Sequence, residues 1–276
     1  MSVVTLDIRT LNDIHTLNDV YKLERLVWGG RDAIPVHQMI TAVRNGGLVI
    51  GAFSEEKLVG FSYSFAGFSN GKVYLCSHNL GIHPDFQEQG IGEKIKERQR
   101  KEAYALGYER LTWTYDPLET RNAYLNLSKL HAICHTYIEN SYGKVEDGLN
   151  AGLPTDRFQV DWWINSDHVL NRKRNRTPSG GAVLFPWIEA SNGLPLLEDH
   201  AVSDTYTNEQ LLIPVPRNFQ QLKTKDLQLA LDWRTKTRAL FQTLFEQGYS
   251  AVSLERSKNE PVHYYVLVKT KSLKIK

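Results

Sequence analysis

The chain has 276 residues, which at roughly 150 residues per domain predicts about two domains. Charged residues make up 23% of it and hydrophobic residues 41%, a composition that excludes a disordered or fibrous protein. The formal net charge is only +2, from 33 basic and 31 acidic residues, so charge predicts neither a nucleic-acid partner nor an anionic membrane.

Two cysteines, Cys76 and Cys134, are too few for a disulfide framework. The first ten residues lack the apolar core of a signal peptide, and no apolar run reaches the roughly 18 residues of a membrane span. We therefore expect a soluble protein in the reducing cytoplasm.

The first part of the chain predicts the element order β-α-α-β-β-β-α-β. Apolar residues from Leu11 to Leu23 recur at helical spacing, and two strands around a polar turn at Ser54–Lys57 predict an antiparallel hairpin. The predicted strands are Val3–Ile8, Leu48–Phe53, Leu58–Phe65, Lys72–Ile82 and Arg110–Tyr115, and the later helices are Val36–Val43 and Gly90–Leu106.

Asp116-Pro117 predicts the start of a further helix, which we expect to run to about Leu130. Short strands at His135–Glu139 and Arg157–Ile164 complete a first domain at residues 1–165, and polar residues 166–180 predict a linker.

Residues 181–276 predict a smaller C-terminal α+β module. It has a strand at Leu211–Val215, a helix at Lys225–Gln247 and a hairpin of Ala251–Glu255 with Val262–Val268. The helix carries Trp233, Arg234, Thr235 and Arg238, and its apolar stripe predicts mainly core packing. The polar members could instead cover the acceptor site of the first domain or form a homodimer contact, and the sequence leaves these alternatives open.

The chemically informative segment joins the strand Lys72–Ile82 to the helix that follows it. Its sequence after a proline turn is Gln87-Glu88-Gln89-Gly90-Ile91-Gly92, the pattern Gln-x-x-Gly-x-Gly. Glycine allows the backbone to come close to a ligand, and the amides at a helix N-terminus favour an anion, so the segment predicts a pyrophosphate site. A dinucleotide fold would need Gly-x-Gly-x-x-Gly, and a nucleotide-hydrolysing loop would need Gly-Lys-Ser/Thr. Neither is present.

At these residues the chain resembles the GNAT superfamily, the Gcn5-related N-acyltransferases. The element order to Ile164 also matches, and Trp113–Leu118, Arg121–Leu127 and Asp156–Phe158 look like a less characterised subfamily with an extra C-terminal module. The resemblance implies an α/β (α+β) fold, with a mixed, mostly antiparallel sheet flanked by helices. It also implies acetyl-CoA or another acyl-CoA as co-substrate.

The resemblance further implies that the fourth and fifth strands splay apart and that pantetheine lies between them. By position, the backbone of Leu80, Gly81 and Ile82 would contact it, while residues 87–92 would hold the diphosphate.

His78 is our choice for the base that deprotonates the amine. Strand alternation would place it on the same side of the sheet as Leu80 and Ile82, and its ordinary pKa near 6.5 suits proton transfer. A hydrogen-bonded structural histidine is the alternative, and other family members use a glutamate or a chain of water molecules.

The helix after Pro117 carries a polar stripe of Asn122, Asn126 and Lys129 opposite Ala123, Leu127 and Leu130. A solvated face explains such a stripe. The resemblance instead implies that Asn122 and Asn126 bind the pantetheine arm and that Lys129 meets a phosphate.

Many family members carry a tyrosine acid on this helix, at a position that aligns here with Leu127. Tyr124, one turn earlier, is the substitute we consider, and bulk water is the alternative.

Arg121 and Arg157 could each fork onto a substrate carboxylate, or form structural ion pairs with Asp116 or Asp156. His131 and His135 lack the glutamate that a zinc protease needs, so we expect no metal.

These observations predict an N-acyltransferase that moves an acetyl or related acyl group to a primary amine, with an amino acid as the leading acceptor class and succinyl as a minority donor. The alternatives are a non-catalytic acyl-CoA-binding module and an RNA-binding protein that uses Arg172–Arg176.

Overall fold

The computed structural model describes residues 5–29, 33–143, 152–171, 181–199, 202–203 and 205–275. The chain divides into two compact units, the first ending at Trp113 and the second starting at Thr114. The basic run Arg172–Arg176 and most of the predicted linker lie outside the described residues. The sequence-based domain boundaries stay a prediction.

The first unit follows the predicted element order. Its strands are β1 (Leu6–Thr10), β2 (Leu48–Ser54), β3 (Lys57–Ser69), β4 (Lys72–Ile82) and the start of β5 (Arg110–Tyr115), and its helices are α1 (Ile14–Trp28), α2 (Val36–Arg44) and α3 (Ile91–Ala105). The first strand was predicted at Val3–Ile8, and its predicted end is two residues too early. Residues 1–4 lie outside the described part, and β1 extends to Thr10 because it pairs with β2 there.

The sheet of the first unit has the order β1-β2-β3-β4-β5. The first three neighbouring pairs are antiparallel, which confirms the β2–β3 hairpin, and β4–β5 is parallel. The mixed, mostly antiparallel sheet that the resemblance implies is thus confirmed.

Helices cover both faces of this sheet. On one face, Leu17 and Val20 of α1 and Met39 of α2 pack against Phe61 and Tyr63 of β3. On the other face, α3 packs against β2 and β3 through a second cluster, composed of Ile50, Ala52, Val59, Ile91 and Ile95 with Leu80 and Ile82 at its edge. Each helix buries an apolar stripe, and burying these side chains supplies most of the driving force.

The second unit continues from the end of β5. Its strands are β6 (Ile133–Ile138), β7 (Arg157–Trp163), β8 (Ala182–Val183), β9 (Trp187–Glu189), β10 (Pro195–Leu197), β11 (Gln210–Pro216), β12 (Tyr249–Glu255) and β13 (Val262–Lys269), and its helices are α4 (Thr120–Ala123), α5 (Asp167–Leu170), α6 (Phe219–Lys225) and α7 (Leu227–Glu246). Its main sheet has the order β7-β6-β12-β13-β11-β8. The C-terminal strands therefore share a sheet with β6 and β7.

The long C-terminal helix begins later than predicted. A separate helix, α6, precedes it, and Asp226 caps α7 by accepting a hydrogen bond from the Leu229 amide at 2.9 Å. An aspartate at this position satisfies an amide that has no partner within the helix, which fixes the start of α7.

The prediction of one regular helix up to Leu130 was wrong. A single α-turn, α4, leads into a π-helix at Tyr124–Lys129, where the Leu130 amide donates to the Leu125 carbonyl five residues back, at 3.0 Å. A π-helix rotates each residue relative to α-helical spacing. Asn126 is consequently buried while Asn122 and Lys129 are exposed, so the three do not form the polar stripe expected from their spacings of four and three.

Candidate functional site

The predicted phosphate loop lies at the surface of the first unit, between β4 and α3. Residues 87–90 are exposed, and the backbone is left-handed at Glu88 (φ 64°) and at Gly90 (φ 74°). Open space surrounds the position that a Gly90 side chain would take. The loop therefore presents its backbone to solvent.

The N-terminus of α3 is shaped to receive an anion. Gly90 is the N-cap and supplies no side-chain hydrogen bond to the first-turn amides, which also have no acceptor within the helix. The helix dipole adds partial positive charge at the same point. Glycine is favoured here because most other residues avoid a positive φ.

A β-bulge in β4 places His78. Tyr63 of β3 pairs with Asn79, but its neighbour Ser64 pairs with Ser77, so His78 is an extra residue without a partner on β3. A bulge changes the direction of a side chain relative to strict alternation.

The bulge corrects the predicted orientation of His78. Its ring lies 6.1 Å from that of Tyr63 and 5.9 Å from that of Phe65, centroid to centroid, on the face covered by α1 and α2. Leu80 and Ile82 pack with α3 on the opposite face. The prediction that all three share a side was therefore wrong, because the extra residue shifts the alternation.

His78 remains exposed on one side of these two rings. Partial desolvation of the imidazole lowers its pKa below the ordinary value of 6.5. At pH 7 the ring is therefore mainly neutral, the form that can accept a proton.

The strands β4 and β5 separate directly before the bulge. Within the first unit they pair at two positions, Leu75 with Leu111 and Cys76 with Thr112. Ser77 on β4 and Trp113 on β5 are the next residues on each strand. The implied separation of these strands thus begins one residue before His78.

Glu24 is a buried carboxylate next to the bulge that the sequence analysis did not single out. It accepts hydrogen bonds from the Asn79 side-chain amide at 2.6 Å and from the Ile34 backbone amide at 3.1 Å. Burial raises its pKa, while the two donors oppose that rise. Glu24 therefore joins α1, the segment before α2 and the bulged part of β4.

Lys96 is a second buried charge that was missed. Its side chain is 2% exposed, and its Nζ donates to Ser77 Oγ at 2.8 Å and to Gln99 Oε1 at 2.9 Å. The ammonium also lies 3.6 Å from the centre of the Trp113 ring. Burial lowers the pKa of Lys96 to about 7, and the nearby Cys76 opposes the shift.

A sequence signal for both residues existed. Glu24 follows Leu17 and Val20 at spacings of seven and four, and Lys96 precedes Ala103 by seven. Such spacing places a residue on the buried face of its helix. A charged residue at a core position of an amphipathic helix is therefore the pattern to look for.

The other predicted site residues belong to the second unit. Asn122, Arg121 and Lys129 are exposed, and Asn126 is 5% exposed. Tyr124 is half-buried, with the Arg256 guanidinium 4.8 Å from the centre of its ring. Their roles in binding and proton transfer stay predictions.

Arg157 has the structural contacts that were considered as the alternative. Its Nη1 donates to the Asp156 carbonyl at 2.9 Å and lies 3.9 Å from Asp116 Oδ2. Asp116 also forms a two-pronged ion pair with Arg234, at 2.7 and 2.5 Å. Arg238 pairs with Asp156 at 2.8 Å. Arg234 and Arg238 therefore serve the interior of the second unit, while the substrate role of Arg157 stays a prediction.

Within the described residues, no group of three or more histidine, cysteine, aspartate or glutamate side chains is arranged to hold a metal ion. No helix in the described ranges has the length and apolar character to cross a membrane.

Several solved structures are similar to part of this chain. The ribosomal-protein-S18-alanine N-acetyltransferase of Escherichia coli is 16% identical, with 58% of this chain and 94% of that chain covered and a TM-score of 0.47. A GNAT-family acetyltransferase of Streptococcus pneumoniae is 16% identical over 57% of this chain and 98% of its own, with a TM-score of 0.47. The putative acetyltransferase YncA of Salmonella typhimurium, solved with acetyl-CoA, is 13% identical over 58% and 94%, with a TM-score of 0.48.

No protein-family model matches the chain. No curated protein matches it either.

Proposed function

We propose that this chain is a GNAT-type N-acyltransferase that moves an acyl group from an acyl-coenzyme A to a primary amine. The observation that carries the proposal is the arrangement around β4: a bulged strand that separates from β5 and leads into an exposed loop and a glycine-capped helix. The resemblance of the sequence to the GNAT superfamily suggests acyl transfer as the reaction for which this arrangement is used.

The loop and the separated strands would bind acyl-CoA as co-substrate. The amides at the start of α3 would hold the diphosphate, since a helix N-terminus without a side-chain cap favours an anion. The backbone of Leu80–Ile82 would bind pantetheine in the manner of an added strand.

His78 would act as the base. An alkyl ammonium group has a pKa near 10, so at pH 7 roughly one amine in a thousand is neutral, a deficit of about 4 kcal/mol. As the amine nitrogen attacks the thioester carbonyl carbon, His78 takes the amine proton, directly or through water. The C–S bond then breaks, and the coenzyme A thiolate takes a proton from Tyr124 or from water.

The acceptor class we favour is an amino acid, and the donor an acetyl or related acyl group, with succinyl included as a minority case. A carboxylate on the acceptor would suit the guanidinium of Arg121 or Arg157. The cytoplasm is the compartment we propose, because acyl-CoA is made and used there.

The test is an incubation of the protein with acetyl-CoA or succinyl-CoA and a pool of amino acids, with products identified by mass and free thiol measured over time. An N-acylated amine that accumulates with thiol release supports the proposal. Absence of any acylated product with every amine and both donors would contradict it.

A non-catalytic acyl-CoA-binding module is the second candidate. It is favoured by Leu127, which stands where the resemblance expects a tyrosine acid and is fully buried. The same incubation separates the two, because a binding module binds acyl-CoA and leaves its thioester intact, so free thiol does not accumulate.

A further inference from the structure

We propose that Lys96 is a positioning residue for the acyl-CoA groove, and that its ammonium fixes the point at which β4 and β5 separate. The inference rests on the proposed function, because it assigns a role to the gap between those strands. The inference concerns the binding of the acyl-CoA thioester and makes no statement about the acceptor amine.

The geometry of one side chain carries the inference. Ser77 and Trp113 are the first residues beyond the last β4–β5 pair, one on each strand. The Lys96 ammonium contacts both, with Nζ at 2.8 Å from Ser77 Oγ and at 3.6 Å from the centre of the Trp113 ring. The Lys96 ammonium on α3 thus contacts both β4 and β5 at the point where the two strands separate.

The same contacts link the gap to the phosphate loop. Lys96 lies on α3 between the loop at Gly90 and Gln99, whose Oε1 accepts a hydrogen bond from Lys96 Nζ and whose amide lies 3.5 Å from Ser62 Oγ on β3. A shift of this side chain would move α3 relative to β4. The diphosphate and thioester ends of the ligand would then no longer match their sites.

Burial of Lys96 opposes the stability of the fold. An ammonium placed beside Ser77, Gln99 and Trp113 loses its hydration, and an apolar side chain of similar length would avoid that desolvation cost. The contact of a cation with an indole ring recovers only part of that cost.

Protonation of Lys96 provides a signature that a purely structural residue would not show. Burial lowers the pKa of Lys96 to about 7, and the titratable group that opposes this shift is Cys76 on β4. The other neighbours of the ammonium are Ser77 on β4, Gln99 on α3 and Trp113 on β5, and none of these side chains ionises in this pH range. As the pH rises above about 7, the amine loses its charge and with it the attraction to Trp113. Affinity for coenzyme A should therefore fall.

The experiment is a calorimetric titration of coenzyme A into wild type, Lys96→Met, Lys96→Arg and Lys101→Met at pH 6 and pH 8.5. Lys101 is an exposed lysine on the same helix and is the matched control. We expect Lys96→Met to weaken binding about tenfold at pH 6, the size of a lost buried cation–π contact. It should also remove the wild-type loss of affinity between the two pH values, which Lys101→Met should keep. Lys96→Arg stays charged at both pH values, so it should bind at pH 6 and show no loss of affinity at pH 8.5.

Trp113→Leu removes the aromatic ring that the Lys96 ammonium contacts. This variant tests the inference if Lys96→Met does not fold. It should weaken coenzyme A binding at pH 6 to a similar extent. Wild-type affinity in either Lys96→Met or Trp113→Leu would overturn the inference while the proposed function stands. If the wild-type protein binds no coenzyme A, the proposed function fails and the inference fails with it.

Discussion

His78 lies on the extra residue of a β-bulge, with its ring against Tyr63 and Phe65. A local irregularity that directs one side chain away from strict alternation is common beside active sites. The lowered pKa of this imidazole makes it a base at neutral pH, though a weaker one than a free histidine.

We predict that His78→Ala lowers kcat by about 100-fold, the ordinary contribution of a general base. The acid limb of the wild-type pH profile, where the imidazole becomes protonated, should disappear, because the variant has no group to protonate there. His15→Ala, at an exposed histidine on α1, is the control. An unchanged rate and pH profile in His78→Ala would remove His78 from the mechanism.

The raised pKa of Glu24 predicts that the free energy of unfolding depends on pH. Its folded-state pKa lies above the ordinary value of 4.5, so the carboxyl stabilises the fold when protonated, and this contribution is lost as the pH rises through the folded pKa. Glu24→Gln cannot ionise, so its free energy of unfolding should increase relative to wild type between pH 4 and pH 8. Urea unfolding at several pH values measures this difference.

Glu24→Leu is the companion variant. It leaves the donors of Asn79 and Ile34 without their acceptor, and we expect a loss of about 3 kcal/mol in the free energy of unfolding. A difference between Glu24→Gln and wild type that stays constant with pH would contradict the assigned pKa direction.

At the scale of elements, the end of β5 and helix α7 are joined by a buried ion pair. Arg234 is 1% exposed and donates to both oxygens of Asp116. Removing one partner of such a pair leaves the other charge buried without compensation.

We therefore predict that Arg234→Met lowers the free energy of unfolding by about 4 kcal/mol. The double variant Arg234→Met with Asp116→Asn should recover part of this loss, because the remaining side chain is neutral and Asn keeps the acceptor for the Leu118 amide. Denaturant unfolding of the two variants tests this, and equal losses in both would contradict the explanation.

The elements also show what sequence reasoning could predict. The hairpin β2–β3, the strand β4 and the helix α3 follow from hydrophobic spacing and glycine positions, and the structure confirms them. The bulge at His78 and the π-helix at Tyr124–Lys129 were not predicted. The bulge and the π-helix each insert one residue into a regular repeat. The order of apolar and polar residues in the sequence is nearly the same with or without such an insertion, so it does not reveal the insertion.

For the whole molecule, the loop at Gln87–Gly92 was the part of the site that sequence could identify, because glycines mark a backbone conformation directly. Helical spacing marks Glu24 and Lys96 as buried, but the strand residues that they contact, such as Asn79 and Ser77, follow only from the assembled sheet. The described residues place the loop, the bulge, Glu24 and Lys96 in one compact unit.

The proposed function depends most directly on whether the amides at the start of α3 bind the diphosphate of coenzyme A. Gly90→Asp tests it, since aspartate tolerates a left-handed backbone and would place a carboxylate where the phosphates bind. Gly107→Asp is the matched control, because Gly107 has a similar φ of 88° with open space around it, just beyond the other end of α3.

The decisive measurement is the dissociation constant of coenzyme A for wild type and these two variants by calorimetry. We predict saturable binding to wild type and to Gly107→Asp, and binding about 100-fold weaker to Gly90→Asp. No heat of binding with wild type, or equal affinity in Gly90→Asp and Gly107→Asp, would contradict it.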